Sequence, residues 1–212
     1  MIDLLAKAVL AYLLGSVSGS MVMGWFRHVD IRRSGSGNAG GTNAFRTQGF
    51  RFALVVVLID IGKGLLSAWV LPMVDLPLPG PQASAATAAL TCGFAAVVGH
   101  CYPVWYGFRG GKGAATAVGA LLVIQPWALL PMIATWLAAL LITGWVGLGT
   151  ILAALSLVPA FAWLGESRAE MVFAVLLALF IVFMHRTNIA RMIDGTEHRF
   201  ERVRIRNWFG RG

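Results

Sequence analysis

Long hydrophobic stretches alternate with shorter polar ones along the chain. The hydrophobic stretches cover about residues 4–26, 52–74, 83–99, 114–165 and 169–185. A helix that crosses a hydrocarbon core of about 30 Å needs roughly 20 apolar residues, so each of the four shorter stretches predicts one transmembrane helix. The stretch 114–165 contains no Asp, Glu, Lys, Arg or His, and it is long enough for two or three such helices.

The distribution of positive charge decides whether residues 114–165 form two or three transmembrane helices. Residues 27–51 carry five arginines and residues 186–211 carry seven, whereas the linker 74–82 has no basic residue. Cytoplasmic loops of membrane proteins are enriched in Lys and Arg, so we expect the first loop and the C-terminal tail to be cytoplasmic and the linker to be outside. An odd number of crossings must then separate Lys112, inside, from the turn at Glu166, outside. The pattern predicts an all-α integral membrane protein with about seven transmembrane helices, the N-terminus outside and the C-terminus cytoplasmic.

Three helices within residues 114–165 require two turns. We expect these turns at Gln125-Pro126 and at Thr143-Gly144. The first of the three helices is then unusually short for a membrane span.

Composition agrees with a single polytopic membrane domain over residues 1–212. Hydrophobic residues make up 58% of the chain and the mean hydropathy is +0.76, whereas soluble domains are about 45–50% apolar. The formal net charge of +8 indicates cytoplasmic loops and anionic partners, including the lipid bilayer, rather than nucleic acid. Cys92 and Cys101 have neither a metal-ligand spacing nor that of a disulfide framework, and we expect no metal site.

The first polar cluster is SGSGNAGGTNAFR, residues 34–46. Glycines let successive backbone N–H groups converge on an anion, and Ser, Thr and Asn add side-chain donors. Arg46 supplies a planar guanidinium suited to phosphate. A Gly/Ser-rich linker has the same composition, and on composition alone the two interpretations carry equal weight.

The second polar cluster is GHCYPVWYGFRGGKGAAT, residues 99–116. The GGKG segment stands just before a hydrophobic helix, so its backbone donors, the positive end of the helix dipole and the Lys112 ammonium coincide in an anion site. It is not a Walker A loop, because Lys112 is followed by Gly113. The alternative is that Arg109 and Lys112 are snorkelling residues at the membrane boundary. His100 alone is more often a structural histidine than a catalyst.

The third polar cluster is HRTNIARMIDGTEHR, residues 185–199. His185, Asn188 and Arg191 share a helix face if the last helix continues, and together with Arg186 they suit a polar ligand. An ordinary basic flank that anchors the last helix is the alternative. The expected topology puts all three clusters on the cytoplasmic face, which suggests a shared ligand that carries phosphate.

Two charged residues lie inside the second hydrophobic stretch. Asp60 and Lys63 are three residues apart, so they can neutralise each other on one face of a helix. Charge inside a membrane also tends to face a polar cavity, so a place beside the binding site is an equal alternative.

The three clusters resemble the motifs of the bacterial acyl-phosphate:glycerol-3-phosphate acyltransferases, the PlsY family. SGNAGGTNAFR (36–46), GHCYPVWYGFRGGKGAAT (99–116) and HRTNIARMIDGTEHR (185–199) are similar to the three family motifs and follow the same order. The segment LIDIGKG (58–64) also fits. The chain departs from the family pattern at Ala39, where proline is usual, at Gly41, where alanine is common, and at Thr187, where an acidic residue is frequent.

The resemblance implies a reaction and a set of site residues. An acyl phosphate gives its acyl chain to the 1-hydroxyl of sn-glycerol 3-phosphate, forming lysophosphatidic acid and phosphate on the cytoplasmic side of the bacterial inner membrane, without a cofactor. The implied phosphate-binding loop consists of Ser36, Gly37, Asn38, Gly40, Thr42 and Asn43, with Arg46 as its charge partner. The implied residues for a second phosphate are Lys112 with Arg109, Gly110, Gly111 and Gly113. His185 and Asn188, beside Arg186, would orient glycerol 3-phosphate or the attacked carbonyl. Whether a soluble enzyme delivers the acyl phosphate is left open.

The residues around each histidine indicate how the acyl transfer proceeds. Other glycerol-phosphate acyltransferases use H-x4-D, but the residues five positions after the four histidines are Arg33, Trp105, Ala190 and Val203. Because acyl phosphate is already activated, we expect positioning and stabilisation of the departing phosphate to provide most of the catalysis. Either His185 or a substrate phosphate oxygen takes the proton.

Two other function classes fit the sequence less well. A transporter of a phosphorylated metabolite would place its polar residues near the bilayer midplane, whereas these clusters gather on one side. A metal-dependent phosphotransferase would carry paired aspartates, and none of the nine acidic residues form D-x3-D.

Overall fold

The computed structural model describes residues 1–207, which form helices and loops and contain no β-strand. The chain divides into two compact units, residues 1–126 and residues 127–212. The α-helices of the first unit are α1 (Ile2–Gly15), α2 (Gly19–Arg27), α3 (Gly41–Gln48), α4 (Phe50–Met73), α5 (Ala85–Cys101) and α6 (Ala114–Ile124). The α-helices described in the second unit are α7 (Leu129–Thr143), α8 (Val146–Leu164), α9 (Arg168–Met184) and α10 (Arg186–Ile193). Short 3-10 helices cover Ile31–Arg33, Val104–Tyr106, Pro126–Ala128, Glu201–Val203 and Ile205–Asn207.

Most of the helices are long and apolar enough to cross a membrane. Five candidate spans cover Ile2–Arg27, Phe50–Met73, Ala85–Tyr106, Pro126–Thr143 and Val146–Leu164, and the bent pair of α9 and α10 is a sixth if it counts as one span. Helix α6 has 11 residues, which at 1.5 Å per residue extend only about 16 Å. The all-helical membrane fold is confirmed, whereas the count of seven spans, the orientation and the single domain stay predictions.

The structure agrees with the two turns expected in the long apolar stretch. Helix α6 ends at Ile124 and α7 ends at Thr143, so both turns lie where the sequence predicted them. The first hydrophobic stretch differs from the expectation, because residues 16–18 separate it into α1 and α2. The first polar loop differs too, because its second half forms the short helix α3.

The helices of the first unit approach one another closely at glycines. A Cβ added to Gly64 on α4 would overlap the carbonyl of Thr116 on α6, and one added to Gly15 on α1 would overlap the backbone of Ala96 on α5. Apolar surface gives little driving force for association in lipid, so membrane helices pack through such small residues. These contacts fix the two ends of the loop between α5 and α6.

In the second unit, α8 packs against both α7 and α9. Helices α9 and α10 meet at a bend of 51°, and His185 is the residue between them. The following segment returns to the turn between α7 and α8, where the Phe200 amide donates to the Gly144 carbonyl at 2.9 Å. The Arg199 guanidinium lies 4.3 Å from the centre of the Trp145 ring.

Candidate functional site

Asn43 organises the first polar cluster from inside. Its side chain is only 1% exposed, and its amide nitrogen lies 2.9 Å from the Ile31 carbonyl, 3.1 Å from that of Ser34 and 3.0 Å from that of Asn38. Its amide oxygen accepts from the Ser36 N–H at 2.9 Å. The segment of residues 34–40, called the glycine loop below, is therefore folded around one buried side chain. In the structure the hydrogen-bonding groups of Asn43 hold this loop, and its predicted contact with substrate stays a prediction.

The other predicted residues of this cluster lie at or near the surface. The exposed ones are Ser36, Gly37, Thr42 and Arg46, and the half-buried ones are Asn38 and Gly40. The Gly37 N–H is occupied, because it donates to the Ser34 carbonyl at 3.1 Å. The cluster is thus an ordered loop and helix start that exposes hydroxyls and a guanidinium, not a flexible linker.

The glycines of the second cluster are held against the end of α5. The Gly110 N–H donates to the Cys101 carbonyl at 3.2 Å, and the Gly111 N–H donates to the His100 carbonyl at 3.1 Å. A helix leaves its last carbonyls without intrahelical donors, and these two glycines supply donors for them. The same N–H groups were predicted to bind an anion; in the structure they are occupied, and the substrate-binding role of both glycines stays a prediction.

Lys112 stands immediately before a helix, as the sequence indicated. Gly113, with φ of 87°, is the N-cap of α6, and such a left-handed backbone favours glycine. Lys112 is half-buried and Arg109 is exposed. The first N–H groups of a helix have no intrahelical acceptors and its dipole is positive there, so cation and helix end lie together.

Arg32 ties the loop before the glycine loop to the second cluster. Its guanidinium donates to the Tyr106 carbonyl at 3.0 Å and the Arg109 carbonyl at 3.4 Å, and it is paired with Asp30 at 2.9 Å. The hydrogen bond from Arg32 holds the pKa of the Asp30 carboxyl below its usual range. The sequence analysis missed this link, because residues so far apart in the chain leave no spacing pattern that predicts it.

A second direct link joins the two clusters. The Ala39 N–H in the glycine loop faces the Gly110 carbonyl at 3.4 Å, and Ala39 is fully buried. The glycine loop and residues 107–113, called the lysine loop below, therefore form one continuous surface in the first unit.

Asp60, Lys63 and His100 form a buried group beneath the lysine loop, called the Asp60 cluster below. The Lys63 ammonium lies 3.0 Å from the Asp60 carboxylate and 2.9 Å from Nδ1 of His100. It also donates to the Val17 carbonyl at 2.8 Å, and the Asp60 carboxylate accepts from the Gly19 N–H at 3.2 Å. Asp60 and Lys63 are thus paired, as one of the two alternatives required, whereas their place beside the binding site stays a prediction. His100 is part of the same group.

In the second unit, His185 lies buried at the bend between α9 and α10. Its Nδ1 is 2.8 Å from the Ile181 carbonyl, and since a carbonyl only accepts, Nδ1 carries the proton in the neutral ring. That tautomer makes Nε2 the basic nitrogen. The sequence analysis predicted that His185, Asn188 and Arg191 share a helix face if the last helix continues. The helix bends at His185, so that condition is not met.

Asn188 is held by a carboxylate that the sequence analysis did not single out. Its amide nitrogen donates to Glu197 at 2.6 Å, and Arg191 donates to the other oxygen of the same carboxylate at 2.7 Å. Asn188 is buried, whereas Arg186 is exposed and stacks 4.4 Å from the Phe183 ring centre. The acidic residue directly before His198 and Arg199 at the end of the motif was the available signal for Glu197. Among the described residues, no group of three or more His, Cys, Asp or Glu side chains could hold a metal ion.

Comparison with known proteins agrees with the three motifs. The family model for glycerol-3-phosphate acyltransferases matches residues 5–195. A glycerol-3-phosphate acyltransferase of Symbiobacterium thermophilum is 41% identical over 94% of this chain and 96% of its own length. One of Chlorobaculum tepidum is 38% identical over 94% of this chain and 97% of its own length.

Solved structures show the same fold. A crystal structure of PlsY (YgiH), an integral membrane glycerol 3-phosphate acyltransferase, in its glycerol 3-phosphate form is 33% identical and has a TM-score of 0.83. The match covers 93% of this chain and 95% of that one, and a lysophosphatidic acid form of PlsY gives a TM-score of 0.82. With motifs, relatives and fold in agreement, the chain belongs to the glycerol-3-phosphate acyltransferase family of integral membrane enzymes.

Proposed function

We propose that this enzyme transfers a fatty acyl group from acyl phosphate to the 1-hydroxyl of sn-glycerol 3-phosphate. The products are lysophosphatidic acid (1-acyl-sn-glycerol 3-phosphate) and inorganic phosphate, which makes this the first acylation of phospholipid synthesis. The related PlsY structures in glycerol 3-phosphate and lysophosphatidic acid forms support the acceptor and the product. The donor is supported by the resemblance of the motifs and by the chemistry of the loops.

The observation that carries this proposal is the joined surface of the two loops. The glycine loop and the lysine loop are bonded to each other. Ser36 and Arg109 are exposed in these loops, and Thr42 and Arg46 are exposed on helix α3, which begins directly after the glycine loop. Guanidinium and hydroxyl groups on a preformed surface suit phosphate oxygens. Both proposed substrates carry phosphate, so such a surface can bind the donor, the acceptor or the departing product.

The roles of the site residues follow from their chemistry. Ser36, Thr42 and Arg46 bind one phosphate, and Asn43 shapes the loop that presents them. Lys112, at the start of α6, neutralises a second phosphate with the help of the helix dipole. In the second unit, His185 and Asn188 orient the hydroxyl of glycerol 3-phosphate or the carbonyl that it attacks.

The chemical step is direct transfer. The 1-hydroxyl oxygen forms a bond to the acyl carbon, and the bond from that carbon to the phosphate oxygen breaks. The phosphate leaves with the electron pair, and the hydroxyl proton passes to Nε2 of His185 or to a substrate phosphate oxygen. Cations near the leaving phosphate stabilise charge that develops in the transition state.

We place the site on the cytoplasmic face of the bacterial inner membrane. The excess of arginine in residues 27–51 and 186–211 supports this orientation. The acyl chain stays in the bilayer while the phosphates meet the polar loops. Metal ions and cofactors have no part in the proposed mechanism.

The donor is tested with purified enzyme in lipid vesicles, glycerol 3-phosphate, a chelator, and either acyl phosphate or acyl-CoA. We expect release of lysophosphatidic acid and phosphate from acyl phosphate and little turnover of acyl-CoA, because a thioester offers no phosphate at the reacting centre. Equal turnover of the two donors would contradict the donor assignment.

A matched pair of variants tests the site in the same assay. Arg46→Ala should lower kcat/KM for acyl phosphate by about 100-fold, comparable to the loss of one strong transition-state donor. Arg51→Ala removes another exposed arginine, which lies on α4 outside the three polar clusters, and should keep kcat/KM within about twofold. Equal losses in both variants would indicate general surface charge rather than a site at Arg46.

A further inference from the structure

The Asp60 cluster is more completely bonded than simple neutralisation requires. The ammonium of Lys63 carries three protons, and three acceptors surround it: the Asp60 carboxylate at 3.0 Å, the Val17 carbonyl at 2.8 Å and His100 Nδ1 at 2.9 Å. Nδ1 of His100 also lies 3.3 Å from the Asp60 carboxylate, so this nitrogen can accept from Lys63 or donate to Asp60. Both members of the ion pair therefore contact the same ring nitrogen, and together they fix the orientation of the His100 ring.

The Nε2 edge of that ring faces the lysine loop. A Cβ added to Gly111 would overlap Nε2 of His100, so the Gly111 backbone lies directly on the imidazole. A Cβ on Gly110 would likewise overlap the His100 carbonyl, and the Gly111 N–H donates to that carbonyl at 3.1 Å. His100 thus supports the loop with its ring and its backbone, one residue before Lys112.

Part of the Asp60 cluster serves the break between α1 and α2. An interrupted helix exposes backbone groups that have no water to bind in a membrane, and here Lys63 binds the Val17 carbonyl while Asp60 binds the Gly19 N–H. This function explains a buried ion pair at the break. It does not require a histidine that is oriented by the pair and packed under the lysine loop.

We propose that the Asp60 cluster is a positioning network that holds Lys112 in place through the backbone of the lysine loop. The inference rests on the proposed function in one respect, namely that Lys112 binds a substrate phosphate. A lysine side chain that is already held in place loses less conformational entropy when it binds phosphate. The network therefore contributes to phosphate binding without touching the substrate. All three members are nearly inaccessible, at 1% for Asp60, 3% for Lys63 and 2% for His100, and their polar contacts are with one another and with backbone groups, which is why we assign them a positioning role.

A second buried ion pair in the same unit gives a matched control. Asp3 and Lys7 on α1 are 3.3 Å apart and as inaccessible as the first pair. Lys7 faces the Pro72 carbonyl at 3.4 Å, and Asp3 accepts from the Ala83 N–H at 3.3 Å. Lys7→Met and Lys63→Met therefore make the same chemical change at equal burial, and only Lys63 is connected to the lysine loop.

The test is a double-mutant cycle between His100 and Lys112 in the vesicle assay, with KM and kcat measured for each substrate. His100→Ala leaves the ion pair intact, so unlike Lys63→Met it leaves no buried carboxylate without its cation. We expect it to lower kcat/KM by about 10–100-fold, as losses of supporting residues do, for the same substrate that Lys112→Ala affects. In a protein that already carries Lys112→Ala, adding His100→Ala should lower kcat/KM by less than about threefold. His100→Gln should recover part of the loss, since an amide can accept from Lys63 through its oxygen or donate to Asp60 through its nitrogen.

The outcomes separate the network from the proposed function. If His100→Ala costs the same factor with and without Lys112, or if Lys7→Met reduces kcat/KM as much as Lys63→Met and His100→Ala do, the network is overturned and the phosphate role of Lys112 stands. If Lys112→Ala itself keeps wild-type kinetics, that role and the inference resting on it both fail. Lys7→Met should lower the thermal midpoint while kcat/KM stays within about twofold.

Discussion

The replacement of Asn43 by alanine tests whether the glycine loop is held by one buried side chain. Three backbone carbonyls, those of Ile31, Ser34 and Asn38, lose their donor, and the Ser36 N–H loses its acceptor. No change of charge accompanies the substitution. The loop should lose its fixed shape while the transmembrane helices keep theirs.

The magnitude follows from where each of these groups lies. Ser34 and Ser36 are exposed, so water replaces their lost bonds and each contributes only about 0.5–1.5 kcal/mol. Ile31 is 1% exposed, and a buried carbonyl without a donor costs about 1–3 kcal/mol. These contributions add to about 2–6 kcal/mol against the ordered loop. A loss of about 2–3 kcal/mol, at the lower end of this range, is enough to lower the competent fraction, and with it kcat/KM, by up to about 100-fold.

Two measurements check this effect. Steady-state kinetics should show the fall in kcat/KM for Asn43→Ala, and trypsin should cleave after exposed Arg33 faster than in the wild type because the loop opens more often. Gln48→Ala, at an exposed position of α3, is the control and should change neither. Asn43→Asp should be as damaging as alanine, since its carboxylate would face three carbonyl oxygens. Wild-type protease resistance together with wild-type kinetics in Asn43→Ala would refute the reasoning.

Two further predictions concern topology and pH. In a cysteine-free background, single cysteines at Gln48, Arg109 and Asn207 should react only with reagent on the cytoplasmic side and one at Gln82 only from outside; the same side for Arg109 and Gln82 would exclude the seven-span topology. Because the pKa of Asp30 is lowered in the fold, its stabilising pairing is complete above the unfolded-state pKa of about 3.9 and is lost as pH falls through the folded-state pKa. Asp30→Asn should therefore lower the thermal midpoint at neutral pH and flatten its decline in acid, and an unchanged acid profile would show that this pair does not couple to folding.

The sequence predicted the transmembrane helices well because apolar length is a local property. The turns at residues 125–126 and 143–144 were found for the same reason. The break at residues 16–18 was missed, because its backbone groups are satisfied by Asp60 and Lys63, more than 40 positions away. A hydropathy pattern records that the stretch is apolar, not that a buried ion pair makes an interruption tolerable.

The residue types of the candidate site were predictable, but their division of work was not. Glycine, asparagine and lysine in the first two clusters indicated an anion site, yet the composition of the first cluster could not distinguish Asn43, which holds the glycine loop, from Thr42, which is exposed. The same glycines are the reason why the sequence did not predict helix α3. Contacts such as that of Arg32 with Tyr106 depend on which loops meet in the fold, and one sequence alone contains no signal for that.

The hydrogen bonds of the two loops change how their glycines are understood. Several backbone N–H groups that an anion could have used are bonded within the protein: those of Ser36, Gly37, Ala39, Gly110 and Gly111. Glycine at Gly111 is required because any Cβ would strike His100, which is a packing requirement and not an anion-binding one. In the proposed mechanism, phosphate recognition then depends mainly on exposed side chains and on the start of α6. Substitution of the loop cations should consequently affect catalysis directly, whereas substitution of the packed glycines should act through the shape of the loops.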